Sequence, residues 1–118
     1  MRDFQELNIW QRSHQLTLTV YTITASFPQQ EIYTLTSQMR RSSSSIPTNI
    51  AEGCGKSSNA EMKRYLFIAA GSCSELEYQF ILSKDLNYIP ENLFKELQQE
   101  IITIRKMIYA FIERMSST

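Results

Sequence analysis

Gln38–Gly55 reads QMRRSSSSIPTNIAEGCG, and the folding of this stretch decides the arrangement of the rest. Met39, Ile46 and Ile50 recur at helical spacing with Ser42 and Ser43 between them, so they form one stripe that faces other helices. Pro47 stands inside that pattern. It has no N–H and its ring clashes with the carbonyl four residues back, at Ser43. The stripe keeps phase through Ile46 and Ile50, which predicts a helix kinked at Pro47 rather than broken there. Serine hydroxyls of the preceding turn are expected to occupy the freed carbonyls. Gly53 and Gly55 end the helix. The stretch holds no catalytic constellation.

The same period continues upstream. Pro28 suits the first position of a helix, and Glu31 sits in that first turn, where the helix dipole favours an acid. The second helix is therefore expected over about 29–53, with Ile32 and Leu35 completing its stripe. Before it, Asn8 with Gln11 resembles a capping box and opens a first helix of about 9–27. Ile9, Leu16, Val20, Ile23 and Phe27 form that stripe, Ser13 fills its gap, and Trp10 and Tyr21 widen it to one side.

Downstream, Ser58 and Glu61 make an S-x-x-E box that starts a third helix of about 59–86. Its stripe is Met62, Tyr65, Leu66, Ala69, Cys73, Leu76, Phe80 and Ser83. The small residues Ala69–Ser74, Gly71 above all, predict a close helix–helix crossing. Asn87 is a candidate left-handed cap, and Pro90 restarts the chain into a fourth helix of about 91–115. There Phe94, Leu97, Ile101, Ile104, Ile108, Phe111 and Met115 form a heptad seam. Leu93, Ile102, Met107, Tyr109 and Ile112 lie outside the seam. A helix apolar on more than one face argues for an oligomer. Ser116–Thr118 are expected to fray. Short links make the helices antiparallel neighbours, so the fold class is all-α: an antiparallel up-down-up-down four-helix bundle in a single domain, 1–118.

Bulk properties bound the function. Acidic and basic residues number 12 each, so any attraction for nucleic acid must come from a local patch. Glycine and proline number only 3 each, which favours a few long helices. Cys54 and Cys73 form no metal-ligand pattern, and helix pairing puts them roughly 25 Å apart, too far for a disulfide. No apolar run approaches the length of a membrane span, and the charged start MRDFQELN lacks a signal-peptide core. The expectation is a cytoplasmic protein with no cofactor, no metal and no membrane partner.

The segments Gln38-x-Arg40-Arg41, Ser45-Ile46-Pro47-x-Asn49-Ile50-Ala51-Glu52-Gly53, Tyr65-Leu66 and Ala70-Gly71-Ser72-x-x-Glu75-Leu76-Glu77 carry a resemblance, as do the opening Leu7-x-Ile9-Trp10-Gln11 and Phe27-Pro28 with Glu31. Over nearly the whole chain they resemble the bacterial four helix bundle proteins encoded in intervening sequences of 23S ribosomal RNA genes, with the related accessory variability determinants of diversity-generating retroelements. Where the family pattern has small apolar residues this chain has Ser42–Ser44, and where it commonly has arginine this chain has Lys56. The resemblance implies a homopentamer around a central channel. For the accessory branch it implies nucleic-acid or reverse-transcriptase partners.

Five cations are the candidate nucleic-acid contacts: Arg40, Arg41, Lys56, Lys63 and Arg64. In the span 37–64 only Glu52 and Glu61 oppose them. Repeated around a ring, such a set would bind phosphate backbone in a salt-dependent way, without reading bases. Adjacent helix residues diverge by about 100°, so Arg40 and Arg41 are not expected to share a groove. The alternative use for Arg40 is a salt bridge: in a hairpin turning near Lys56 it lies level with Ser72, close to Glu75 and Glu77. Asn49 and Glu52 read as a hydrogen-bond network around Pro47 and the Gly53 turn. His14, the only histidine, has Gln11 rather than glutamate three residues before it, so a di-iron site is not expected. GCGKSS lacks the spacing of a phosphate loop. Two functions stay open: a non-enzymatic oligomer that binds RNA or DNA backbone, and an interaction scaffold with no nucleic-acid affinity.

Overall fold

The apolar stripes of four periodic segments close on one another. The computed structural model of the chain describes residues 2–115. Its helices are α1 (Asn8–Thr24), α2 (Leu35–Cys54), α3 (Asn59–Asp85) and α4 (Glu91–Arg114), with 3-10 turns at Phe4–Glu6 and Gln29–Glu31. Among the described residues there is no strand. Leu16 and Val20, Met39, Ile46 and Ile50, Leu66, Leu76 and Phe80, and Ile101, Ile104 and Ile108 are the buried ridges of the four helices. Thr17 meets Ser43 while Tyr21 and Thr24 meet Arg40. Ser42 meets Gln79 while Ser45 meets Ser72, and Glu77 meets Arg105 while Lys84 meets Phe94. In each pair the numbers rise on one helix as they fall on the other, so successive helices run antiparallel in a bundle of 46 × 24 × 20 Å.

The helix ends depart from the expected signals in four places. Asn8 does not cap α1: a 3-10 turn held by Asp3 precedes it, Leu7 takes the cap position, and Gln11 instead donates to the Gln5 carbonyl at 2.8 Å. The first helix stops at Thr24, where Ser26 and Phe27 tighten the last turn with bonds three residues back, to Ile23 and Thr24. The second begins at Leu35 rather than beside Pro28. Glu31 turns away to accept from the Thr34 and Tyr88 hydroxyls, so the chain makes a 3-10 turn and leaves Ile32 46% exposed instead of in the stripe. Ser58 caps α3 by accepting from the Glu61 N–H at 3.2 Å, but the Glu61 carboxylate pairs with Arg64 and does not close the box.

Other local signals act as written. Asn87 has φ 64°, and it donates to Lys84 O while Tyr88 donates to Ser83 O, the paired bonds that end a helix on a left-handed residue. The α4 seam is buried from Phe94 to Ile108, then passes to Ile112 while Phe111 and Met115 are half-buried. A straight helix drifts against a heptad by about 20° per repeat, which moves the stripe in this way. Helix α2 runs without interruption through Pro47. The fraying expected of Ser116–Thr118 lies outside the described residues.

Gly71 overturns the reading of a close crossing inside the bundle. It is exposed, and a Cβ built on it meets nothing within 4 Å. The tight approach is at Gly53 instead, where a Cβ would lie 3.2 Å from the Tyr65 Cβ and 3.3 Å from the Met62 carbonyl oxygen. The serine run is consumed by packing. Ser42 donates to Gln79 across α2–α3, and Ser43 and Ser44 each donate to a carbonyl three residues back. The carbonyl freed by Pro47, that of Ser43, accepts at 3.0 Å from Thr17 of α1 and not from a neighbouring serine. No buried side-chain nitrogen or oxygen among the described residues lacks a partner.

Candidate nucleic-acid interface

The five candidate cations fall in two places. Lys56, Lys63 and Arg64 sit at the α2–α3 turn. Lys56 Nζ lies 5.0 Å and Arg64 Cζ 4.7 Å from the centre of the Tyr65 ring, and Arg64 Nε donates to Glu61 at 3.1 Å. That bond raises the Arg64 pKa and lowers the Glu61 pKa, as a charge-assisted pair must. Lys63 has no partner among the described residues. Arg2 and Arg114 both approach the Phe111 ring at the same end of the bundle, where Asp3, Glu6 and Glu113 also lie in sequence. The signs are mixed there.

Arg40 and Arg41 lie roughly 24 Å further along α2, at 1.5 Å per residue. Arg40 does not reach Glu75 or Glu77. The register of α2 against α3 is offset from a symmetric turn at Lys56: Met39 and Ser42 come level with Ser83 and Gln79, which leaves Glu75 and Glu77 further along α3 from Arg40. Glu77 pairs with Arg105 at 2.7 Å instead, and Glu75 makes no ion pair among the described residues. Arg40 Nε donates to Thr24 Oγ1 at 2.9 Å and Nη2 to the Tyr21 carbonyl at 3.4 Å, with its guanidinium 4.8 Å over the Tyr21 ring. It therefore sits at the C-terminal turn of α1, where free carbonyls favour a cation. Arg41 is exposed and makes no ion pair or hydrogen bond among the described residues.

The two arginines do share a hollow. Despite their divergence on the helix, both line one open depression of about 520 Å³, with Tyr21, Tyr33, Ile32 and Ser44. The late start of α2 makes this possible, because the segment before it swings Ile32 and Tyr33 out as a far wall. Tyr33 is 90% exposed and Tyr21 46%. No carboxylate lines the hollow. Two guanidiniums, one half-anchored and one free, offer planar paired donors that match phosphate oxygens.

The polar network is smaller than expected. Asn49 Nδ2 donates to the Ser45 carbonyl at 2.8 Å and to Ser45 Oγ at 3.0 Å, and Ser45 Oγ is 2.9 Å from Ser72 Oγ. That chain ties α2 to α3. The Glu52 side chain takes no part, and only its backbone carbonyl accepts, from Gly55. Sequence reasoning missed Tyr33 and Thr17. For Thr17 the available signal was a hydroxyl one turn along from Ser13; for Tyr33 there was only its place beside Ile32.

The arrangement offers binding groups rather than reactive ones. Cys54 and Cys73 are buried free thiols; burial raises the Cys54 pKa and pushes Cys73 up to about 12. Among the described residues no group of three His, Cys, Asp or Glu could hold a metal ion, and no helix is long and apolar enough to cross a membrane. The His14 ring stacks on Trp10, with centroids 5.0 Å apart.

Comparison with known proteins adds a family and a fold. The profile of the family described as 23S rRNA-intervening sequence protein matches residues 5–110. The chain is similar to a protein with unknown function from the S23 ribosomal protein family of Bacteroides thetaiotaomicron VPI-5482, whose crystal structure was determined at 1.70 Å. The match has a TM-score of 0.79 and covers 88% of this chain and 97% of that one, at 23% identity, so the likeness shows the fold alone. None of the curated proteins matches.

Proposed function

We propose, from the premise that the chain belongs to the 23S rRNA-intervening sequence protein family, that it is a non-enzymatic homo-oligomer that binds the phosphate backbone of RNA or DNA through Arg40 and Arg41. One observation carries this reading: a hollow with two guanidiniums and no carboxylate on a chain whose charges balance overall. A single copy offers about two phosphate contacts, which is weak; repetition in an oligomer multiplies them. Lys56, Lys63 and Arg64 supply a second, outer set, reduced by the Glu61 pair.

Self-association is supported by the outward side of α3. Phe67 (52% exposed), Ile68 (42%) and Tyr78 (59%) follow one another along it around the open notch at Gly71, and Phe67 meets Tyr109 of α4 at 6.2 Å. Exposed apolar side chains that share one helix side suit an interaction site, with the polar Ser74 and Glu75 lying among them. The second reading, a scaffold without nucleic-acid affinity, is favoured by Arg40 being already bonded to Thr24 and Tyr21.

The test is binding of a labelled RNA hairpin at about 50 and 200 mM salt. Affinity should fall steeply with salt, and Arg41→Glu should lower both affinity and salt slope without changing the melting temperature. Lys63→Glu with Arg64→Glu should do less. No binding by the wild-type protein at low salt would leave the scaffold reading standing alone.

A further inference from the structure

The geometry points to unpaired bases as what the arginine hollow takes along with phosphate: its ligand is single-stranded nucleic acid, laid along the outer groove between α1 and α2. This rests on the phosphate-binding reading above. The hollow is the middle of three that run into one another. It shares Tyr21 and Ser44 with a depression of about 360 Å³ toward Trp10, His14 and Pro47. On the other side it shares Ile32, Thr36 and Arg40 with one of about 240 Å³ beside Phe27 and Gln29. From Trp10 to Ala25 the track is roughly 20 Å long.

Charge and ring surface both vary along this track in a way that fits one occupant. None of the three hollows is lined by Asp or Glu, although those residues number 12 in the chain. Aromatic rings recur along it: the Trp10–His14 stack, with ring planes 11° apart, then Tyr21, then Tyr33 on the opposite wall. Arg40 sits against Tyr21 and Thr24, past Tyr21 from the stack, and Arg41 lines the same hollow as both tyrosines. A duplex presents phosphates but keeps its bases stacked on each other, so it leaves exposed rings such as Tyr33 unused. A single strand can place bases on rings while its phosphates meet the arginines, and a track of this length suits about four nucleotides, the lower end of such sites. Tyr33, 90% exposed at the rim, has no packing role that would otherwise account for a large ring in that position.

Trp10 is the only tryptophan, so its emission reports occupancy of the groove directly. The experiment titrates the full chain with an oligouridylate of about twelve nucleotides, an abasic phosphodiester strand of equal length, and a blunt duplex. Wild type and Tyr33→Ala are compared, with a thermal melt to check that the variant keeps its fold. Oligouridylate should bind at least about tenfold tighter than the abasic strand and quench Trp10, and Tyr33→Ala should lose about tenfold on oligouridylate and nothing on the abasic strand. Equal affinity for the abasic strand, the duplex and oligouridylate would overturn the base-stacking inference while leaving the phosphate reading in place. Binding that leaves Trp10 emission unchanged would also overturn it, because the strand would then lie elsewhere. If none of the three probes binds, both readings fall together.

Discussion

The Thr17 hydroxyl has one proton and two carbonyls within reach, Ser13 at 2.9 Å and Ser43 at 3.0 Å. Ser43 O is the acceptor that Pro47 leaves without its backbone donor, and both residues are buried. The cross-helix bond therefore satisfies a defect built into α2 and fastens α1 to it. Thr17→Val keeps the shape and removes the donor, so it should cost about 1–3 kcal/mol in urea denaturation, the range for a buried group left unsatisfied. The mechanism has a sharper signature. Pro47→Ala restores an N–H to Ser43 O, so in that background Thr17→Val should cost clearly less. Additive costs would mean that the two residues do not share this carbonyl. A second prediction concerns the thiols. With Cys73 held near 12 and Cys54 raised, both by burial, neither should be alkylated by iodoacetamide at about pH 8 in the folded protein, and both should react in urea. Rapid labelling of the native chain would show a thiol more open than its packing implies.

Between elements, the two connectors that the helical period does not cover are tied to each other. Tyr88, just past α3, donates to Glu31 at 2.7 Å, and its ring lies 5.2 Å from that of Phe27. The Thr34 hydroxyl bond, then the Tyr88 bond, holds the Glu31 carboxyl below its ordinary value of 4.5, and the carboxylate holds the Tyr88 hydroxyl above its ordinary 10.0. A lowered acid contributes stability above its unfolded pKa and loses it as pH falls through the folded one. A raised phenol contributes below its unfolded pKa and loses it as pH rises through the folded one. The clasp is thus closed across the neutral range and opens at both extremes. Tyr88→Phe should move the Glu31 titration, followed by NMR, back toward its ordinary value; an unmoved titration would mean that Tyr88 is not its partner in solution. These connectors also mark where sequence reading stopped. The stripes of α1, α3 and α4 were legible because burial enforces the 3.6-residue period at every turn. Asn87 and Ser58 were legible because their chemistry is local. The start of α2 was not, because Glu31 is held both by Thr34 at the head of α2 and by Tyr88, far along the chain, and the second partner cannot be read from local sequence. Both the partners of Arg40 and the sharing of one hollow by Arg40 and Arg41 depend on that start and on the register of α2 against α3, neither of which the helical period sets.

At the scale of the whole molecule, the proposed assembly makes Gly71 a position where stability and association should respond with opposite signs. Within one copy it weakens α3, since glycine in a helix interior costs about 1 kcal/mol against alanine, and nothing inside the copy needs the space it leaves. On the self-association proposed above, this position beside exposed Phe67, Ile68 and Tyr78 is where a second copy would seat. Gly71→Gln should therefore raise the intrinsic stability of the protomer by several tenths of a kcal/mol and at the same time dissociate the oligomer, because the new side chain fills the notch. Sedimentation would then show a mass falling toward the 13.8 kDa of one chain, with helicity intact. Phe67→Glu, at a site half open to solvent, should dissociate it by charge instead of bulk. If the groove acts through repetition, each variant should also weaken RNA binding by at least about tenfold though neither residue lines the groove, since linked copies bind with avidity that separate ones lack. Variants that become monomeric yet bind RNA as before would separate the two halves of the proposed function, keeping the interface and removing the need for it. Variants that stay assembled would move the interface off α3.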